Sequence, residues 1–305
     1  MPFITPFESS LQAVFTKAQQ ITAKFPEPLN QTGQAYITHI NPLHRSGNQN
    51  YIGYLLPYWM TEMASVTEEQ CEQLALANVF GMLHFFIVDE VMDSGSAESR
   101  QKLALSHLFY TQMYGVLHCL HTSDSRFWEY YGRYMADWSI GVAQESAEDY
   151  FNTDPLRTAL KSSLVKIAST GALLLSGQQA FIPAVERAVD YVLVALQMAD
   201  DWTDWEADLA DGSYNGLLAF FMDKWPEQSP ITVSKLRKAI YVQGLLTDYA
   251  ELACQFEQAH QQLGLKAGHL LAFHASITAS LAKDAHNIEL ARQKQMEGGL
   301  FQTLA

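Results

Sequence analysis

The chain has 305 residues, 48% of them hydrophobic, enough for a sizeable core in one large domain or two ordinary ones. Its 19 basic and 33 acidic residues leave a net charge of −14, which argues against nucleic acid or an anionic membrane as main partner, since both need clustered Lys and Arg. An anionic substrate stays accessible where metal ions invert the local field.

The opening Met1-Pro2-Phe3-Ile4-Thr5 lacks the basic stretch of a signal peptide. No apolar run of about 18 residues occurs, so a cytoplasmic chain without a transmembrane segment is expected. Prolines crowd the first 60 residues. Beyond them, apolar residues at three- and four-residue intervals predict helices from Glu69 to Met92, Ser99 to Leu120, Ser125 to Tyr150, Pro155 to Leu175, Pro183 to Leu209, Val233 to Gln262 and Ala267 to Gln295. Alternating strand patterns are scarce, and Asp211-Gly212 reads as a helix stop rather than a hairpin. Cys71, Cys119 and Cys254 are odd in number, widely spaced and in apolar helical surroundings, which points to buried free thiols. His269 and His274 lie on an apolar helix and read as core or partner-bonded side chains. The expected architecture is all-α: a single domain over residues 1–305, built as a bundle of about ten helices.

Two acidic motifs carry the chemistry. Phe85-Phe86-Ile87-Val88-Asp89-Glu90-Val91-Met92-Asp93 closes the first long helix, and Ser94-Gly95-Ser96 breaks it. At about 100° per residue, Asp89 and Asp93 share a face with Glu90 on its flank. Like charges at that spacing destabilise a helix by roughly 0.2–0.5 kcal/mol, and at a C-terminus they also oppose the helix dipole. A divalent cation is the simplest compensation. In the second motif Asp200, Asp204 and Asp208 recur every four residues behind an apolar stretch, Tyr191 to Leu196. Three stacked carboxylates on a buried helix are costly unless paired, protonated or metal-bound. Oxygen donors without Cys or His favour Mg²⁺. Glu257-Gln258-Ala259-His260 matches one Glu-x-x-His element of a di-iron bundle, but no second copy exists.

Phe86-Ile87-Val88-Asp89-Glu90-Val91-Met92-Asp93 resembles the first aspartate-rich motif of trans-prenyl diphosphate synthases, with Glu90 where a second Asp is usual. Gln197-x-x-Asp200-Asp201-x-x-Asp204 is similar to their second motif, and the Asp200, Asp204, Asp208 spacing is similar to the metal triad of class I terpene synthases. Thr170-Gly171-Ala172-Leu173-Leu174 resembles the Lys-Thr-Gly-Ala-Leu segment at which such enzymes meet diphosphate, with Ser169 at the Lys position. The resemblance covers residues 70–225 in detail. It implies an isoprenoid-synthase type of bundle with a central active-site cavity and carboxylates Asp89, Glu90, Asp93, Asp200, Asp204 and Asp208 holding three Mg²⁺ ions. Among these, Asp89, Asp93, Asp200 and Asp204 would be the catalytic set.

The resemblance further implies that a metal-bound diphosphate would leave from a prenyl chain and that an apolar, aromatic-walled cavity would then shield the carbocation. Arg157, Lys166, Thr170 and Lys224 are the candidate diphosphate contacts, with Arg100 a further basic side chain nearby. Phe85, Phe86 and Trp138 are candidate walls, beside Phe80 and Phe221. Chain-elongating relatives add a basic site for isopentenyl diphosphate. Here the two corresponding segments offer only Arg45 and Arg100. The expected activity is therefore that of a Mg²⁺-dependent terpene synthase, a carbon–oxygen lyase that ionises one prenyl diphosphate. The alternatives are a prenyl diphosphate synthase or a non-catalytic partner subunit of one. A homodimer is compatible with either.

Overall fold

The computed structural model describes residues 3–44, 51–94, 99–144 and 149–301, with side chains to residue 92 in the second stretch and to residue 294 in the last. Among the described residues there are thirteen α-helices, joined by short 3₁₀ turns, and no strand. The all-α expectation is met. The helices are α1 (Glu8–Thr22), α2 (Leu29–Ile40), α3 (Ile52–Trp59), α4 (Glu68–Ser94), α5 (Ser99–Leu120), α6 (Phe127–Ala143), α7 (Tyr150–Thr153), α8 (Lys166–Leu175), α9 (Ile182–Asp211), α10 (Gly216–Lys224), α11 (Val233–Tyr241), α12 (Leu245–Gln262) and α13 (Gly268–Phe301). The chain sorts into two units. One comprises Met1–Met135, Leu164–Glu186 and Lys266–Leu270; the other comprises Ala136–Ser163, Arg187–Leu265 and Leu271–Ala305.

The first unit is organised around α4, which packs on α1, α3, α5 and α8. A reciprocal capping box starts it: the Gln70 backbone N–H donates to Thr67 Oγ1 (3.2 Å) and the Thr67 N–H donates to Gln70 Oε1 (2.9 Å). Leu74, Ala75, Leu76, Ala77, Val79, Phe80 and Leu83 then bury every side of the helix, as an all-round apolar pattern requires. Residues Glu68–Met92 are long and apolar enough to cross a membrane (mean hydropathy 1.6), yet 67% of that apolar window is buried inside the protein. Helix α5 covers α4 with Leu105, Phe109, Met113 and Leu117, one residue per turn. Helix α3 comes so close to α4 that a Cβ on Gly53 would lie 2.1 Å from the Met82 sulfur.

Helix α9 is 30 residues long; beyond Glu186 it belongs to the second unit, with Val192, Val194, Ala195, Met198 and Trp205 buried. It stops at Gly212 (φ +73°), where the Ser213 N–H reaches back to the Asp208 carbonyl at 3.0 Å. The expected Asp211-Gly212 stop is observed. Helix α10 follows after four residues and packs on α7, α11 and α12.

Three expected helices are interrupted. The one expected from Ser125 to Tyr150 ends at Ala143, and the short α7 restarts with Asp149 accepting from the Asn152 N–H. The one expected from Pro155 to Leu175 is 3₁₀ as far as Val165. There the Thr158 hydroxyl takes the Pro155 carbonyl (2.7 Å), so side chains compete for the ladder. A Cβ on Gly141 would sit 2.8 Å from the Lys161 nitrogen, so α6 lies against the 3₁₀ backbone itself. The helix expected from Val233 to Gln262 breaks at Gly244 (φ +82°). Ahead of α4, the proline-rich start folds into three helices of its own. All three cysteines are free; Cys71 is buried as expected, whereas Cys119 is exposed.

Candidate functional site

The first acidic motif forms the last turns of α4. Asp89 is half-buried there. The side chain of Asp93 lies outside the described residues, as do Gly95 and Ser96 of the expected break and Arg45 near the start. Glu90 is exposed but engaged at both oxygens: Lys102 donates to Oε1 at 2.8 Å and the Tyr36 hydroxyl to Oε2 at 2.7 Å. These bonds, Lys102 first, hold its carboxyl below the usual range. Glu90 thus ties α4 to α2 and α5. Phe85 is half-buried, edge-on to the His84 ring at 4.6 Å, and Phe86 is exposed.

Two candidate diphosphate contacts of this unit, Lys166 and Thr170, share one turn of α8, and both are buried. Sequence reading missed what joins them, Tyr134 on α6. Its hydroxyl lies 2.6 Å from Thr170 Oγ1 and donates to Glu186. Arg133 also pairs with Glu186, and the Lys166 ammonium sits 5.4 Å over the Tyr134 ring. Burial first, and the Glu186 bond second, push the phenol up, so Tyr134 stays protonated as a donor. In the sequence Tyr134 is one of several tyrosines in the middle of α6, and nothing in its spacing marks it as the link between Thr170 and Glu186.

In the second unit the four carboxylates of α9 fall into two environments. Asp201 is buried, 4% exposed. Its Oδ1 accepts from Gln197 Nε2 (2.9 Å), and its Oδ2 accepts from the Gly216 N–H (2.9 Å) and the Tyr249 hydroxyl (3.2 Å). Burial outweighs these bonds and pushes its carboxyl up to about 6, with Asp208 a further repulsive charge. Asn215, also buried, donates through Nδ2 to Asp208 Oδ2 (2.8 Å) and to the Asp201 carbonyl (2.9 Å), while its Oδ1 accepts from the Leu217 and Leu218 N–H groups. Asp200 and Asp204 keep access to solvent. Asp200 is nevertheless surrounded by enough protein that burial, and then the Asp204 charge, push it up to about 6. Trp202, between them in sequence, donates from its indole to Asp284 at 3.1 Å.

The remaining candidates of this unit are occupied in other ways. The Arg157 guanidinium lies 4.1 Å over the Tyr150 ring and donates to Gln144 at 3.1 Å. Lys224 pairs with Asp248, its ammonium 5.2 Å over Phe220. Trp138 is half-buried. His260 and His274 pair through their Nδ1 atoms at 3.1 Å in the core, and Glu257 takes the Thr278 hydroxyl.

Among the described residues no three His, Cys, Asp or Glu side chains converge as a metal-holding group. A Mg²⁺ ion commonly takes only one or two carboxylates and completes its shell with water and substrate phosphate. Asp200 and Asp204 offer hard oxygen donors of that kind, close enough for one charge to shift the other's titration, and they fit such an ion as a pair. Comparison of the chain with protein-family models and with curated proteins gives no match in either case.

Proposed function

We propose that this chain is a Mg²⁺-dependent class I terpene synthase of the isoprenoid-synthase type, ionising a prenyl diphosphate and releasing pyrophosphate with a terpene hydrocarbon or alcohol. The observation that carries the reading is the Asp200–Asp204 pair. Both carboxylates are reachable from water, one is driven up to about 6, and no hydrogen bond or ion pair offsets their repulsion among the described residues. Side chains kept in that state are poised for a cation. Asp89, at the end of an apolar helix, is the second anchor of the reading, and the all-helical character of the described residues agrees with it.

Bound Mg²⁺ would supply charge neutralisation on the departing diphosphate. The chain's own residues do the rest. Within the first unit Asp89 would present a carboxylate, and Thr170 and Lys166, ordered by Tyr134, a hydroxyl and an ammonium from a buried turn; within the second, Asp200 and Asp204 would present theirs. A buried cationic donor to an oxyanion gains strength from its low-dielectric surroundings.

The test is incubation of the purified protein with ten-, fifteen-, twenty- and twenty-five-carbon allylic diphosphates, with and without Mg²⁺ and isopentenyl diphosphate. Metal-dependent pyrophosphate release with a hexane-extractable product is expected. A longer linear prenyl diphosphate as dominant product would make the chain an elongase. Failure to release pyrophosphate from any of the four would leave the partner-subunit reading.

A further inference from the structure

We infer that the second acidic motif divides its carboxylates between two tasks: Asp201 and Asp208, joined through Asn215, build the corner between α9 and α10, and Asp200 and Asp204 alone are cation ligands. The inference rests on the cation-binding reading above, and it departs from the four-residue stripe of the sequence, in which Asp208 is the third ligand.

The hydrogen bonds separate the two sets. Both oxygens of Asp201 are filled, one by Gln197 and the other by the Gly216 N–H and Tyr249. Gly216 is the first residue of α10, so Asp201 satisfies one of the helix's orphan donors. Asn215 satisfies two more, at Leu217 and Leu218. With its other end Asn215 grips Asp208 Oδ2 and the Asp201 carbonyl. One amide therefore reads α9 on one side and starts α10 on the other. The site has no slack: a Cβ on Gly216 would lie 2.6 Å from Asp201 Oδ2 and 2.8 Å from Phe151. Asp208 is thus a positioning residue, spent on the corner, and Asn215 is its partner.

The experiment titrates Mn²⁺ into the full chain with inorganic pyrophosphate present, following free Mn²⁺ by electron paramagnetic resonance, and records melting in chelator. Asp208→Asn keeps an oxygen for the Asn215 amide, so Mn²⁺ affinity should stay within twofold of wild type. Asp204→Asn should weaken it about tenfold or more, the scale of losing one ligand or its support. Asn215→Ala should lower the melting temperature while leaving Mn²⁺ affinity within about threefold at a temperature where the variant is folded. Equal losses of affinity in Asp208→Asn and Asp204→Asn would overturn the division of labour and leave the cation site standing. A wild-type chain that takes up no Mn²⁺ would overturn both.

Discussion

A carboxyl group with a pKa of about 6 competes for its cation with protons in a range that ordinary aspartates never see. Asp200 is in that position. As the cation ligand proposed above, it would have to lose a proton below pH 6 before binding metal, so affinity should fall toward tenfold per pH unit in that range and level off above it. Mn²⁺ titrations at pH 5.0 and 7.0 check this, and Asp200→Asn should remove the slope along with most of the affinity. Asp200→Ala and Asp89→Ala should each abolish pyrophosphate release with helical circular dichroism unchanged. Glu90→Ala should cost much less, because Tyr36 and Lys102 already occupy that carboxylate. The buried histidines titrate with the opposite sense. Burial pushes His260 down to about 4 and His274 down to about 3, so the unfolded chain takes up these protons first, and stability is lost as pH falls from 6.5 toward those values. Between pH 6.5 and 5.0 each neutral histidine costs on the order of 2 kcal/mol of stability. Asp201 works against this trend, since its raised carboxyl favours the fold at the acid end and loses that contribution as pH rises through about 6. Urea unfolding of wild type and His274→Gln at the two pH values isolates the histidine share, which should appear as a smaller pH difference in the variant. The acidic stripe was legible because a four-residue repeat of Asp is a pattern. Which oxygens were already taken was not, because Gln197, Asn215, Gly216 and Tyr249 reach Asp201 from separate stretches of chain.

At the level of elements, the long helices were readable from their periodicity, and their ends and breaks much less so. The Thr67 to Gln70 capping box and the Gly212 stop are local chemistry, so they show in the sequence. The break at Gly244 has the same cause as the one at Gly212, a glycine in the left-handed region, but Leu245, Leu246 and Tyr249 continue the apolar spacing of α11 and mask it. The 3₁₀ stretch Pro155–Val165 was masked by its helical apolar spacing, and its close approach to Gly141 on α6 is a tertiary contact that spacing does not display. A matched pair of substitutions separates backbone strain from packing. A Cβ meets nothing within 4 Å at either Gly244 or Gly115. Gly244→Ala should destabilise by about 1–2 kcal/mol, the cost of a left-handed alanine. Gly115→Ala, in the right-handed α5, should stabilise by about 0.5–1 kcal/mol. Denaturant midpoints at unchanged m-value would verify both, and equal shifts of one sign would refute the strain argument.

On the scale of the whole molecule, a net charge of −14 makes any second diphosphate hard to hold without a dedicated cationic pocket. The segments where an elongase would place one carry only Arg45 and Arg100, and Arg100 is exposed. Each missing charge-assisted contact forfeits about 1.5–3 kcal/mol, so the absence of several weakens binding by orders of magnitude. Isopentenyl diphosphate is therefore expected neither to lengthen the product nor to raise the turnover of an allylic diphosphate, as product chromatography would show.

Helix α4 carries a further consequence, for biogenesis. During synthesis the segment Glu68–Met92 leaves the ribosome with the hydropathy of a bilayer-spanning helix. Its cover comes in two instalments. Helices α1 and α3 precede it in the chain and pack on it, whereas α5 and α8 are still to be made. The early helices can shield one flank of the nascent segment at once, which leaves the flank awaiting Leu105, Phe109 and Met113 open for the time those residues take to appear. A chain halted just after α4 should accordingly be captured by hydrophobic-segment chaperones or detergent micelles, and one halted after Leu120 should be captured far less.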